Sequence, residues 1–353
     1  MARRMQEALG LALAIALALG VGSAGAAEKI KFTQAWIPQG DVAWLWVAKA
    51  KGFWERRGLD VSIDRGYGSA EAVKNTGLGN YDYTAADFGS MIVAKSRGLD
   101  LINVGIIHHV SPKGVASLKG KGITKPKDLE GKRVVTSGGS SVTLLWPAFA
   151  RANAIDVAKV QIVLTEPQLH IPTLIDGKAD AMFAYYNSSA PPLWARGYQM
   201  DYIAFSAHGL PTYEYGIITT GARVKRNPDQ VRRFVEGALE GLAFSYLNPE
   251  ETVRLYIEAV KEFKGSQTNK DMVTYGVGIN SALGLAPIAE EKGLGAMDPQ
   301  MVKQTRDLII RYMNLPAEPP LEEIYTNAFV GSVKLTPAQW RQVKEGLKRY
   351  ILW

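Results

Sequence analysis

Short β-rich runs alternate with helical stretches from residue 30 to residue 220, and this alternation limits the possible folds more than any other feature of the sequence. Such alternation is typical of a parallel sheet covered by helices. The first series predicts strands at 30–36, 59–63, 83–86 and 101–107, separated by helices at 42–51, 69–78 and 90–97. We therefore expect a βαβαβαβ unit and an α/β fold.

A second series of the same kind follows, and only helices come after it. Its predicted strands are 132–136, 160–164, 181–185, 202–205 and 216–220, with helices at 140–153 and 171–176. The later helices begin at Asn227-Pro228, Asn248-Pro249, Asp298-Pro299 and Thr336-Pro337, with Gln230 at a capping-box position. The first of them has a predicted apolar face with spacings of three and four residues, formed by Val231, Phe234, Val235, Ala238, Leu239, Leu242 and Tyr246. Two α/β units and a helical end agree with a chain of 353 residues at about 150 residues per domain.

Residues 1–26 are interpreted as a secretory signal peptide. Arg3 and Arg4 precede an uncharged, mostly apolar stretch from residue 8 to residue 27, and Ala24 and Ala26 fit the small positions before a cleavage site. A membrane anchor is the alternative, since about 20 apolar residues can span a bilayer. The small-residue end favours cleavage after Ala26 and export of the mature chain.

Composition excludes several classes of site. The chain has no cysteine, which removes disulfides, thiolate nucleophiles, Fe–S clusters and cysteine zinc sites. The net charge of +7 is spread along the chain without a Lys/Arg-rich block, so nucleic acid is not an expected partner. His108 and His109 are adjacent at a predicted strand end and therefore point to opposite faces, which disfavours a shared metal.

No catalytic residue, metal or cofactor is predicted. The sequence lacks a G-x-S-x-G elbow, an H-E-x-x-H pair, a Walker loop and a G-x-G-x-x-G turn after a strand. Carboxylates near strand ends (Asp87, Glu166, Asp180 and Glu214) belong to different strands, and nothing in the sequence shows that two of them converge.

Aromatic and small polar residues concentrate at the carboxyl ends of the predicted strands, where open α/β sheets bind their ligands. The candidates in the first unit are Trp36, Pro38, Gln39, Tyr67, Ser69, Asp87, Phe88 and His108. Those in the second unit are Ser137, Ser140, Ser141, Gln168, Tyr185, Tyr186 and Asn187, with Tyr213 and Glu214 after it. Each aromatic ring is either part of the core or part of a ligand site. The 137–141 loop is either an anion seat at a helix start or an ordinary serine N-cap.

Three segments resemble a known family. Residues 48–61, with Gly-Phe-Trp and Gly-Leu-Asp-Val, look like a signature of the periplasmic ligand-binding proteins of ABC importers. Asp128-Leu-Glu-Gly-Lys-Arg-Val134 and Leu174-Ile-Asp-Gly-Lys-Ala-Asp-Ala181 are similar to two further signatures of that family, in the same order. The resemblance is closest to the group that binds nitrate, alkanesulfonate, taurine and thiamine pyrimidines.

The resemblance implies a type II periplasmic binding protein fold with two lobes that close on a ligand. Lobe one would be residues 28–111 plus 215–353, and lobe two residues 112–214, with crossovers near Val110–Pro112 and Tyr213–Tyr215. It also implies a periplasmic monomer that works with a membrane permease and an ATPase. By matching strand ends, it assigns ligand contacts to Trp36, Pro38, Gln39, Ser69, Asp87, Ser140, Ser141 and Asn187.

Two departures from the family narrow the function. Gln39-Gly40-Asp41 stands where thiamine-pyrimidine binders often have Asn and His, and the cysteine cluster of the related fungal pyrimidine-synthesising enzymes is absent. We therefore expect a non-enzymatic protein that captures a pyrimidine, sulfonate or carboxylate type of solute. The alternatives are an exported enzyme for the same molecule and a sensor that presents it to a membrane kinase.

A small aromatic or heteroaromatic solute is the expected ligand. Five rings are predicted to offer stacking surfaces, namely Trp36, Tyr67, Phe88, Tyr185 and Tyr186. In this hypothesis the 137–141 loop meets an acidic group of the solute, and Asp87 meets one of its N–H donors.

Overall fold

A computed structural model describes residues 26–350, in which ten strands form two five-stranded sheets. The predicted signal peptide lies outside the described residues, apart from its last position. The strands of the first half are β1 (Glu28–Gln34), β2 (Leu59–Asp64), β3 (Tyr83–Asp87), β4 (Ile102–Ile106) and β5 (Lys113–Leu118). Those of the second half are β6 (Arg133–Thr136), β7 (Gln161–Leu164), β8 (Ala181–Tyr185), β9 (Met200–Ala204) and β10 (Tyr215–Thr219).

The two sheets share one topology. Their strand orders are β2-β1-β3-β10-β4 and β7-β6-β8-β5-β9. The fourth strand of each sheet, β10 or β5, is antiparallel to both of its neighbours, whereas the first three strands are parallel. Each sheet thus has four strands in one direction and one reversed strand. The predicted α/β class with mostly parallel sheets is confirmed.

Strand β5 is the one element of the sheets that the sequence pattern did not predict. Lys113–Leu118 contains only one β-branched residue, and its lysine and glycine do not suggest a buried strand. Yet β5 pairs with β8 on one side and β9 on the other. Pairing on both sides supplies the stabilisation that local propensity lacks.

The helices cover both sheets. Up to the last strand they are α1 (Ala43–Ala50), α2 (Ser69–Gly77), α3 (Phe88–Ser96), α4 (Ser141–Ala152), α5 (His170–Ile175) and α6 (Tyr186–Trp194). After it come α7 (Gly221–Arg226), α8 (Pro228–Leu247), α9 (Pro249–Ala259), α10 (Gln267–Leu283), α11 (Pro287–Lys292), α12 (Pro299–Met313), α13 (Leu321–Ile324) and α14 (Pro337–Leu347). Within the described residues, none of these helices is long and apolar enough to cross a bilayer.

Prolines begin the late helices as predicted, but only some of the predicted caps form. Thr336 forms a capping box with Gln339, and the Asp298 carboxylate accepts from the Gln300 N–H at 2.8 Å. Asn227 and Asn248 make no side-chain cap. The prediction of a capping box at Gln230 is wrong, because the Gln230 side chain accepts from Arg223 and donates to Glu28 instead.

Helix α8 holds the core of the first sheet. Its predicted apolar face (Val231, Phe234, Val235, Ala238, Leu239, Leu242 and Tyr246) is buried throughout. Phe234 stacks on Tyr83 of β3 at 3.9 Å between ring centroids and on Trp54 at 5.4 Å. This contact fixes the helical end of the chain against the sheet that carries half of the candidate site.

The chain passes between the sheets twice, through residues 107–112 and 205–214. Lobe one (residues 28–111 plus 215–353) and lobe two (residues 112–214) are proposed units, each built around one sheet. The helical end is not confined to lobe one, because Leu308, Tyr312 and Met313 of α12 pack on the core of the second sheet. Together with the crossovers, α12 therefore connects the two proposed lobes.

Candidate functional site

A small cavity of about 50 Å³ lies between the two lobes. Lobe one contributes the residues after β1 and β4, the start of α2 and the start of β10, whereas lobe two contributes the starts of α4, α5 and α6 and the end of β8. The lining residues are Ala35, Trp36, Gly68, Ser69, His108, Ser140, Ser141, His170, Phe183, Tyr185, Asn187, Ser188, Ser189 and Tyr215. Both proposed lobes therefore supply walls of this cavity.

Seven predicted site residues line this cavity. They are Trp36, Ser69, His108, Ser140, Ser141, Tyr185 and Asn187. They meet there because strand ends from both sheets face the cleft, which is the geometry that the strand-end argument assumed. Their contact with a solute remains a prediction.

Three predicted aromatic contacts belong to packed cores instead. Phe88 is fully buried as the first residue of α3, and Tyr213 is buried with its hydroxyl accepting from the Asp298 N–H at 2.9 Å. Tyr186 packs edge-on against Tyr202 and Trp194. Side chains of neighbouring residues diverge, so the rings next to a strand end do not all reach the cleft.

Five further candidates lie around the cavity without lining it. Tyr67 and Ser137 line a separate outer groove of about 330 Å³, and Gln168 is exposed in the turn before α5. Pro38 and Gln39 are half-buried ahead of a short 3-10 turn, where the Gln39 Oε1 atom is buried without a partner among the described residues.

Helix α4 begins with an ordinary serine cap. The Ser140 hydroxyl accepts from the Val142 N–H at 3.2 Å, and the Ser140 N–H donates to the Ser137 carbonyl at 3.2 Å. This arrangement is the N-cap alternative of the 137–141 loop, and it uses one lone pair of the Ser140 hydroxyl while leaving its O–H as a donor.

Asp87 and Glu214 do converge, on the ammonium of Lys113. All three side chains are essentially inaccessible, with the Lys113 Nζ bonded to Asp87 Oδ2 at 2.6 Å and to Glu214 Oε2. Asp87 also caps α3, accepting from the Ser90 N–H at 2.6 Å. The predicted contact between Asp87 and a ligand donor is therefore wrong, because its oxygens are used by Lys113 and the helix start.

The three ionisable groups of this cluster influence one another strongly. Burial opposes the charge of Lys113, but the two carboxylates outweigh burial and raise its pKa. Burial likewise opposes ionisation of Asp87, and Lys113 outweighs it and lowers the Asp87 pKa. Burial and the negative charge of Asp87 together raise the pKa of Glu214 to about 8.

Tyr185 connects this buried cluster to the cavity. Its hydroxyl donates to Glu214 Oε1 at 2.7 Å, and the Ser141 hydroxyl therefore donates to the Tyr185 oxygen. Burial, followed by the nearby carboxylates, raises the Tyr185 pKa well above its usual value. The ring is thus held in the cavity wall by polar partners on its far side.

Two histidines line the cavity with one ring nitrogen each left bare. His108 Nε2 bonds to the Asn280 Oδ1 at 2.6 Å, and the His170 ring lies 5.7 Å from that of Trp36. Among the described residues, neither His108 Nδ1 nor His170 Nε2 has a partner. Burial lowers the pKa of both imidazoles to about 4, so both are uncharged at neutral pH.

A family model described as NMT1/THI5-like matches residues 39–252, which is more than half of the chain and includes most of the cavity wall. The chain belongs to the NMT1/THI5-like family. This result confirms the resemblance that the three sequence segments carried.

Curated relatives of this family member include two binding proteins. The formylaminopyrimidine-binding protein of Halalkalibacterium halodurans is 24% identical over 66% of this chain and 71% of its own length. A riboflavin-binding protein of Chloroflexus aurantiacus is 22% identical over 86% of each chain. Among solved structures, the periplasmic aliphatic sulphonate-binding protein of Escherichia coli covers 88% of this chain and 96% of its own, with a TM-score of 0.62 and 13% identity.

Sequence reasoning missed His170, Ser188 and Ser189 as residues that line the cavity. His170 follows β7 at the start of α5, two residues after the predicted Gln168, so the strand-end signal was present but pointed to the wrong residue. Tyr215 begins β10, and its ring lies 5.4 Å from that of His108. No cluster of His, Asp or Glu within residues 26–350 has the arrangement of a metal site.

Proposed function

We propose that this protein binds one small heteroaromatic solute in the cavity between its lobes and delivers it, unchanged, to an ABC permease and its ATPase. The observation that carries the proposal is a closed cavity whose walls come from both lobes and combine aromatic rings with small hydroxyl side chains. Membership of the NMT1/THI5-like family supports the binding function. The proposal includes a monomer that is exported to the periplasm, which N-terminal sequencing of the mature chain checks at Ala27.

Capture by hinge closure follows from contacts that cross the cleft. The Ala70 N–H of lobe one donates to the Gly139 carbonyl of lobe two at 3.1 Å, and the Asn187 amide of lobe two donates to Asp41 of lobe one at 3.2 Å. A solute that touches both walls adds contacts only in the closed form. It therefore shifts the equilibrium towards closure, and the closed form is the one that a permease would recognise.

Aromatic walls favour a planar solute. Of the five rings that the sequence suggested, Trp36 and Tyr185 line the cavity, and the structure adds Tyr215. Stacking on such rings contributes about 0.5–1.5 kcal/mol per pair beyond the burial of apolar area. The relatives named for formylaminopyrimidine and riboflavin, both heteroaromatic, agree with a planar ligand.

An organic anion is the second candidate, because a solved neighbour is a sulphonate-binding protein. The cavity gives it less support, since no lysine or arginine is among the lining residues of the described chain. Two other classes of protein are alternatives: an enzyme that acts on the same solute and a sensor module that presents it to a membrane kinase. Recovery of chemically unchanged solute from the complex separates binding from turnover.

The rings of Trp36 and Tyr185, called the aromatic clamp below, are expected to contribute strongly to the affinity for the solute. Trp36→Ala and Tyr185→Ala should each weaken binding about tenfold to a hundredfold, because each removes a stacked ring and its buried area. Calorimetric titration with the best binder from a panel of heteroaromatic and anionic compounds measures the change. Tyr185→Phe keeps the ring and removes only the hydroxyl, and it should bind more tightly than Tyr185→Ala.

Tyr198→Ala is the matched control, because Tyr198 is exposed and does not line the cavity. It should bind like the wild type. If both alanine variants of the clamp also bind like the wild type while remaining folded, the cavity is not the solute site and the proposal is wrong.

A further inference from the structure

The cavity presents hydrogen-bond acceptors that nothing in the described chain satisfies. His108 Nδ1, His170 Nε2 and Asn187 Oδ1 are all buried without a partner, and all three residues line the cavity. Buried polar atoms are nearly always hydrogen-bonded in native proteins, so three such atoms around one cavity indicate that something else supplies their partners.

The protonation state of each group follows from its second contact. An amide oxygen can only accept, so the hydrogen of His108 is on Nε2, where it meets Asn280 Oδ1 at 2.6 Å, and Nδ1 carries a lone pair. The His170 Nε2 atom is buried without a partner, and the backbone of Thr165 and Thr136 raises the His170 pKa against burial, as carbonyls do when they accept from a ring N–H. That hydrogen is therefore on Nδ1, and Nε2 carries the lone pair. The Asn187 amide nitrogen donates to Asp41, which leaves the Asn187 Oδ1 atom as a further acceptor.

Charges around the cavity give an oxyanion no partner. The nearest ammonium, on Lys113, lies 5.9 Å from the centroid of the Tyr185 ring, but it is already bonded to Asp87 and Glu214. Asp41, behind Asn187, is a further acidic group. An oxyanion would therefore meet unpaired lone pairs and no free cation among the lining residues of the described chain, while an N–H group would meet acceptors.

We propose that His108 and His170 determine solute specificity as uncharged acceptors, selecting a ring that carries at least two N–H groups and rejecting oxyanions. This inference rests on the proposed binding function and names the chemical class of the solute more closely. Asn187 Oδ1 offers a third acceptor on the same wall of lobe two. The hydroxyls of Ser69, Ser188 and Ser189 can donate or accept hydrogen bonds. They therefore do not decide whether the site prefers donors or acceptors on the solute.

The test compares 2,4-diaminopyrimidine with 2,4-dimethylpyrimidine, which has the same ring and replaces each amino group by a methyl group. Wild-type protein should bind the diamino compound at least tenfold more tightly in calorimetric titration, because the methyl compound leaves the acceptors unpaired. Methanesulfonate and nitrate should not compete.

Two substitutions of His170 distinguish the contribution of its acceptor nitrogen to the affinity from that of its ring. His170→Phe keeps a ring beside Trp36, whose centroid lies 5.7 Å away, but removes the acceptor. It should lose at least tenfold in affinity for 2,4-diaminopyrimidine and little for the dimethyl compound. His170→Gln offers an amide oxygen near the same place and should recover part of the preference. His208→Phe is the control, since His208 bonds the Ala204 carbonyl and does not line the cavity.

The possible outcomes are distinguishable. If the wild type binds both pyrimidines equally, or if His170→Phe keeps the tenfold preference, the specificity inference is overturned while the binding function stands. Binding of methanesulfonate in the cavity, abolished by Trp36→Ala, would also overturn it. If no heteroaromatic compound binds at all, the proposed function itself fails.

Discussion

Lys113→Met is expected to lower the free energy of unfolding by about 3–5 kcal/mol, because removing one partner of a buried ion pair leaves uncompensated charge in the interior. In this protein two carboxylates, Asp87 and Glu214, would lose their shared ammonium while remaining buried. Methionine has a similar length and keeps the packing of the aliphatic stem. Urea unfolding at neutral pH measures the loss.

The effect should depend on pH in a defined direction. The folded-state pKa of Glu214, about 8, lies above its ordinary value, so the native state holds this proton more tightly than the unfolded chain does. The stability linked to this proton is present at low pH. It is lost as the pH rises from the ordinary glutamate pKa of 4.5 to the folded-state value of about 8. Without Lys113 the pKa of Glu214 should rise further, so the difference between variant and wild type should grow as the pH rises through about 8, where the wild type releases this proton and the variant keeps it.

Lys178→Met serves as the control for this prediction. Lys178 is an exposed lysine of lobe two that pairs with Asp176, and its loss should change stability by less than about 0.5 kcal/mol. A Lys113→Met protein as stable as this control, or one whose deficit shrinks as the pH rises, would contradict the role that we assign to the cluster.

Gly68→Ala should prevent full closure and weaken solute binding at least tenfold, or by about 1.4 kcal/mol. Gly68 has φ of +141°, and a Cβ atom there would lie 1.9 Å from the Gly139 carbonyl oxygen across the cleft. Both are backbone features, so the clash can be relieved only by moving the lobes apart. Small-angle scattering with saturating solute should give a larger radius of gyration for the variant than for the wild type.

Gly79→Ala provides the matched control because it separates backbone strain from the clash. Gly79 also has a positive φ, of +83°, but a Cβ atom there would meet nothing within 4 Å. This variant should lose some stability and keep the affinity and the compaction of the wild type. Equal behaviour of Gly68→Ala and Gly79→Ala would mean that the contact between residues 68 and 139 does not control closure.

The sequence was sufficient for features that depend on local pattern. The alternation of strands and helices predicted the α/β class, and strand ends predicted seven cavity residues, including Trp36 and Tyr185. The heptad-like spacing on α8 predicted its buried face. In each case the information lies within a few residues of chain, where periodicity and turn chemistry are readable.

Features that depend on contacts between distant parts of the chain could not be predicted from the sequence. The convergence of Asp87, Lys113 and Glu214 requires β5 and the second crossover to meet the end of β3, and β5 itself has little strand propensity. Phe88 and Tyr185 both stand at strand ends, yet only Tyr185 reaches the cavity. Which way such a ring points is decided by the packing of both lobes.

Competition dialysis tests the central claim most directly. Wild-type protein and Trp36→Ala are equilibrated against one mixture of 2,4-diaminopyrimidine, riboflavin, benzenesulfonate, taurine and nitrate, and the bound compounds are identified by mass spectrometry and ion chromatography. The account predicts that the wild type retains a heteroaromatic compound, unchanged and at one per protein, and that Trp36→Ala retains much less. Retention of a sulfonate or nitrate instead, or equal retention by both proteins, would contradict it.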